Sequence, residues 1–118
     1  MFHFVKLCGK MECIAIIDQV FKSISIHKSI MVCKDMVQVE TMMTILQEKC
    51  YPCGFRDTDN VRLIMTTEKE LQNNDFWWNI KTKDIDVVFF MDRNLAIENI
   101  GNVMDRLSSN KKYMFVHL

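Results

Sequence analysis

Only three glycines and one proline stand among the 118 residues, and neither type clusters. Linkers and low-complexity tracts draw on such residues, so none is expected to divide the chain. Its length suits a single folding unit. A membrane span needs a run of about 18 or more apolar residues, and no such run occurs. Met1 to Cys8 is apolar but broken by His3 and Lys6, a poor match to a cleavable leader. No excess charge of either sign exists, with 15 basic against 15 acidic residues, so no general field draws the chain onto nucleic acid. A second Cys-x-x-Cys and a spaced His pair are both absent, which leaves tetrahedral zinc two ligands short. No metal, cofactor or membrane contact is expected. The five cysteines are an odd number, and Cys8, Cys13 and Cys33 lie in apolar runs, a pattern of free thiols in a reducing, cytoplasmic setting.

What is present is the composition of a packed domain, 49% apolar and 25% charged. Strand-like and helix-like patterns alternate along it. Phe2 to Leu7 reads as a strand stopped by Gly9. Cys13, Ile17, Val20, Phe21 and Ile24 then fall on one side of a helix over residues 10–24. Ser29 to Cys33 has the continuous apolar pattern of a strand buried on both faces. Asp35 and Gln38 have capping-box spacing before a helix whose inward stripe is Met36, Val39, Met42, Met43 and Leu46. Further strands are predicted over Tyr51–Phe55, Val61–Thr66, Ile85–Met91 and Tyr113–Leu118. A short helix is predicted over Glu68–Asn74, and a last helix is marked by Ile97, Ile100, Val103, Met104 and Leu107. This order predicts a mainly parallel α/β sheet with helices on both faces. The polar link from Phe55 to Val61 is too short for a helical crossover, which normally takes a dozen residues or more.

Taken in order, these stretches resemble the second, helicase C-terminal-like RecA domain of DEAD-box RNA helicases, shortened, over most of the chain. Lys28-Ser29-Ile30-Met31-Val32-Cys33 resembles the strand carrying motif IV. Val61 to Glu68 is similar to motif V, with Thr67 keeping the hydroxyl, Glu68 replacing an Asp, and Gln72-Asn73 standing where Arg-Gly would be. Glu98-Asn99-Ile100-Gly101-Asn102-Val103-Met104-Asp105 falls where His-Arg-Ile-Gly-Arg-Thr-Gly-Arg of motif VI is expected. Ile100-Gly101 survive, while the arginines become Asn99, Asn102 and Asp105. The resemblance implies that those arginines would meet ATP phosphates as arginine fingers do; asparagine carries no such charge and aspartate repels phosphate. Arg106, one position further on, points elsewhere around a helix. The link 55–61 also has no room for the family's helix with a Gln-x-x-Arg element. Aligning Val61–Asp92 with the first RecA-like domain instead requires a P-loop, and Gly9-Lys10, with Phe4 at the key spacing and Met11 following, cannot form one.

Either alignment implies a RecA-like shell that is not an enzyme. Degenerate domains of this kind occur in Tudor-domain proteins of the piRNA pathway, such as insect Yb, so the resemblance implies a module cut from a longer protein. It implies protein partners, self-association into a homo-oligomer, and a place in a cytoplasmic RNA-silencing scaffold or RNA granule. The alternative is an RNA-binding module in which Lys34 and Thr67, at the ends of the motif IV and V strands, contact the phosphate backbone.

Other features have plainer readings. Cys50-Tyr51-Pro52-Cys53 follows a helix instead of preceding one, so its thiols lack the helix N-terminus that acidifies redox cysteines. They are expected to fill a helix-to-strand corner. The ten methionines, among them Met36, Met42, Met43 and Met104, suit irregular core packing. His3, His27 and His117 are scattered. Lys81, Lys83 and Lys111-Lys112 supply the local positive charge of a solvated face. Phe76, Trp77 and Trp78 are adjacent and cannot all point inward, so at least one is exposed. They mark a candidate protein interface, with base stacking as the other use.

Overall fold

A computed structural model describes residues 2–5, 10–23, 26–107 and 114–118, with side chains at 14–22, 26–107, 114–116 and 118. The readings placed on Gly9, on Ile24 and on Lys111-Lys112, and those on the side chains of Cys8, Cys13, His3 and His117, lie outside these.

The elements are β1 (Phe2–Val5), α1 (Lys10–Ser23), β2 (Lys28–Cys33), α2 (Met36–Glu48), β3 (Cys53–Gly54), β4 (Leu63–Thr67), α3 (Glu68–Leu71), α4 (Asn74–Trp78), β5 (Ile85–Phe90), α5 (Arg93–Arg106) and β6 (Met114–His117). A single 3₁₀ turn, Thr82–Asp84, leads into β5. The strands form one sheet in the order β1-β6-β5-β2-β4-β3, and every pairing is parallel. Parallel central strands are covered on both faces, which is why β2 and β4 are buried at every position and read as unbroken apolar runs.

The period of two along each strand divides the core. Met31, Cys33, Met65 and Phe89 point to one face, where Ile17 of α1 and Val39, Met42 and Leu46 of α2 meet them. Ile30, Val32, Ile64, Val88 and Phe90 point to the other, against Leu71, Trp77, Leu95 and Val103. The predicted architecture is therefore the observed one.

Several boundaries differ from expectation for physical reasons. Met36 is 48% exposed, because it occupies the first turn of α2 beyond the edge of the sheet. Ile97 and Met104 are exposed too; the inward face of α5 is Leu95, Asn99 and Val103. The stretch Tyr51–Phe55 pairs over Cys53–Gly54 alone, and Phe55 is exposed. Residues 68–78 form two short helices, each with its own cap: the Thr67 hydroxyl accepts from the Glu70 amide at 3.3 Å, and Asn73 Oδ1 accepts from the Asp75 amide at 2.9 Å. The Asp35–Gln38 capping pair forms, with Asp35 accepting from the Gln38 amide at 2.9 Å. Its return bond reaches one residue further back, from the Lys34 amide to Gln38 Oε1 at 2.7 Å.

The short link 55–62 joins two parallel strands without a helix. A buried lysine makes this workable. Lys28, at the start of β2, donates from Nζ to the carbonyls of Thr58 and Val61 at 2.5 and 2.6 Å and pairs with Asp57 at 2.9 Å. Both side chains of that pair are nearly fully buried. Asp57 also accepts from the Lys81 amide at 2.9 Å. The link is thereby stitched to the start of β2, with hydrogen bonds doing what a packed helix does elsewhere.

Candidate interaction surface at the carboxyl ends of the strands

In open parallel sheets ligands meet the crevice outside the carboxyl strand ends, where successive connections leave in opposite directions. Here that point lies between β2 and β5. Helix α2 leaves β2 on one face, while α5 leaves β5 on the other. Both helices begin at the rim and are capped by carboxylates: Asp35, and Asp92, which accepts from the Leu95 amide at 2.8 Å.

Lys34 and Thr67 are brought together at this rim, since Cys33 pairs with Thr67 across β2 and β4. They differ in access. Lys34 is exposed, whereas Thr67 is buried and its hydroxyl is committed to capping α3. Thr67 therefore offers no surface hydroxyl to a phosphate.

Glu68 begins α3 beside them, and its carboxylate meets Glu98 on α5. The hydrogen bond and like charge of Glu68, with a smaller push from Asp92, hold the Glu98 carboxyl above the usual carboxylate range. The rim thus gathers Asp35, Glu68, Asp92 and Glu98. Helix N-termini favour anions, but here fixed carboxylates already occupy that role.

Two of the positions aligned with motif VI arginines turn onto the neighbouring helices. Asn99 is 3% exposed. It donates from Nδ2 to the Leu95 carbonyl at 2.9 Å and to Glu68 Oε1 at 3.1 Å. Asn102 donates to the Leu71 carbonyl at 2.9 Å, the same acceptor that the Trp77 indole reaches at 2.8 Å. Arg106 donates to Asn74 Oδ1 at 2.5 Å and lies 6.0 Å from the Trp77 ring centre. Asn99, Asn102 and Arg106 therefore fasten α5 to α3 and α4. Asp105 stands apart on the exposed side of α5. Sequence reasoning singled out the asparagines for what they lack; their helical spacing toward α3 is the signal that would have shown what they do.

This chain has a likeness to the crystal structure of E. coli DEAD-box protein SrmB bound to regulator of ribonuclease activity A (RraA). The TM-score is 0.66 at 17% identity, over 99% of this chain and 75% of that one. The fold is the RecA-like fold of a DEAD-box helicase domain. No protein-family model matches the sequence, and no curated protein matches it.

On this RecA-like frame the aromatic triplet splits. Trp78 is 77% exposed, Phe76 is half-buried, and Trp77 is buried. Trp77 belongs to the core, hydrogen-bonded to Leu71 and edge-on to Phe76 at 5.2 Å, and is withdrawn from any interface. Trp78 lies beside Lys69, Gln72, Asn73 and Asp75.

The Cys-x-x-Cys thiols are also unlike each other. Cys50 is exposed, so it does not fill the corner; Cys53 is half-buried, and burial pushes its thiol up. Buried Cys33 is pushed up to about 12, chiefly by burial and further by Asp35. Reactive cysteines need the opposite shift. Among the described residues no group of three or more His, Cys, Asp or Glu could hold a metal ion, and no helix is long and apolar enough to cross a membrane.

Proposed function

We propose that this chain is a RecA-like domain without ATP hydrolysis that serves as a protein-association module, self-association included, in a cytoplasmic RNA-processing scaffold of the piRNA type. The observation that carries the reading is the fate of the motif VI positions. Asn99 and Asn102 are spent on holding α3, Asp105 is acidic, and Arg106 is engaged by Asn74. A γ-phosphate in transit needs cationic groups converging on it, while the rim presents Asp35, Glu68, Asp92 and Glu98. The same carboxylates oppose a nucleic-acid backbone, whose binding rests on neutralising phosphates. Protein association accords with the exposed Trp78. It also accords with the partner protein that SrmB carries in the likened structure.

Two titrations test this. Nucleotide turnover is measured on this chain alone and mixed with a first RecA-like domain, and single-stranded RNA binding is measured across a range of salt concentrations. The expected result is no turnover and no RNA affinity at physiological salt. RNA affinity that falls steeply with salt and weakens in Lys34→Ala would overturn the reading in favour of an RNA-binding module. Hydrolysis lost in Arg106→Ala would overturn it in favour of an ATPase.

A further inference from the structure

Helix α5 carries exposed residues at intervals of four: Arg93, Ile97, Gly101 and Asp105. At ~3.6 residues per turn these lie on one continuous ridge, the i±4 row that helices use most often when they pack on each other. Elsewhere on α5, Leu95 and Val103 lie in the core and Asn99, Asn102 and Arg106 reach α3 and α4, while Asn94, Glu98 and Met104 are exposed beside the ridge. The ridge itself faces outward. Ile97 is 63% exposed, and a Cβ added at Gly101 would meet nothing within 4 Å.

Glycine is among the least favourable residues for a helix interior, and among the described residues no neighbour needs the space that it leaves. Along the ridge the order is cation, large apolar, small, anion. Such an order is complementary to itself when reversed. Two α5 helices laid antiparallel set Ile97 of each over Gly101 of the other, and Arg93 of each beside Asp105 of the other. A two-fold axis repeats both contacts, and the opposed helix dipoles add to the match.

We infer that this ridge is the docking face for a second copy of the chain, with Ile97 seated in the hollow at Gly101 and flanked by the Arg93–Asp105 pairs. The inference rests on the association reading above and gives it a place on the molecule. Trp78 and Phe55, also exposed, lie off this ridge and take no part in it.

Sedimentation equilibrium over a wide concentration range tests it. The wild-type chain should form a reversible dimer. Gly101→Leu, Arg93→Glu and Asp105→Arg should each weaken the dimer by about tenfold or more. The melting temperature of dilute, monomeric Gly101→Leu should not fall, because its side chain meets open space. Mixing Arg93→Glu with Asp105→Arg in equal amounts should restore dimerisation, since each charge then meets its opposite. Dimers that ignore these variants, that do not recover on mixing, or that are lost only in Trp78→Ala overturn the ridge and leave association elsewhere standing. A strict monomer at every concentration overturns the ridge and removes self-association from the proposed function; the nucleotide and RNA titrations are unaffected by either outcome.

Discussion

Cys50 is the described non-glycine residue held in the left-handed region, at φ 64°. It follows the last turn of α2, where the Tyr51 amide reaches the Leu46 carbonyl at 2.9 Å and the Cys50 amide reaches Gln47 at 3.0 Å. This is the Schellman ending that normally recruits glycine. A residue with a Cβ costs roughly 1–2 kcal/mol in that conformation, so Cys50→Gly should stabilise the chain by about 1 kcal/mol. The check is a higher urea midpoint at unchanged slope; a lower midpoint would mean that the exposed thiol makes contacts worth more than the strain. The sequence pattern pointed to thiols filling a corner and away from this backbone role, because a cysteine does not advertise a helix end. Trp77 was hidden for a similar reason: three adjacent aromatics predict that some ring is exposed, and only the Leu71 carbonyl decides which one is not.

At the scale of elements, periodicity located the strands and long helices because each buries a regular stripe. It misplaced Met36, Ile97 and Met104, which sit at helix ends or flanks where the sheet no longer lies beneath them. The link 55–62 was illegible as a structure, since its order comes from Lys28, distant in sequence and placed at the head of an apolar run. Removing that ammonium leaves Asp57 buried without its partner. Lys28→Met should therefore destabilise by about 3–5 kcal/mol, the usual cost of breaking a buried pair. Replacing Asp57 with leucine as well should recover much of the loss. A double-mutant cycle read by denaturant unfolding measures both; purely additive losses would mean that the pair is not coupled.

For the molecule as a whole, the same carboxylate gives stability a pH dependence. Burial pushes the Asp57 carboxyl up, but the Lys81 amide and the Lys28 ammonium more than offset that and hold it below its ordinary value. Its unfolded value is ~3.9, so its contribution is complete above about pH 4 and is lost as pH falls through the lower folded value. Glu98 works in the opposite sense: its raised carboxyl favours the folded state when protonated, and that advantage fades as pH rises. Thermal melts of wild type and Asp57→Asn from neutral pH downward should show a gap that closes below about pH 4; a constant gap would mean that ionisation of Asp57 is not what stabilises the link. The parallel α/β architecture was legible along the chain. The acidic character of the rim was not, because Asp35, Glu68, Asp92 and Glu98 are scattered in sequence and are gathered only by parallel strands that all end on one side.

The outermost strand on the β4 side, β3, is only two residues long. An exposed sheet edge is a template on which another chain can continue the ladder, and long flat edges invite fibrous aggregation. Two residues offer too few free amides and carbonyls to start such growth. The shortened crossover therefore blunts that side of the sheet against open-ended polymerisation along it.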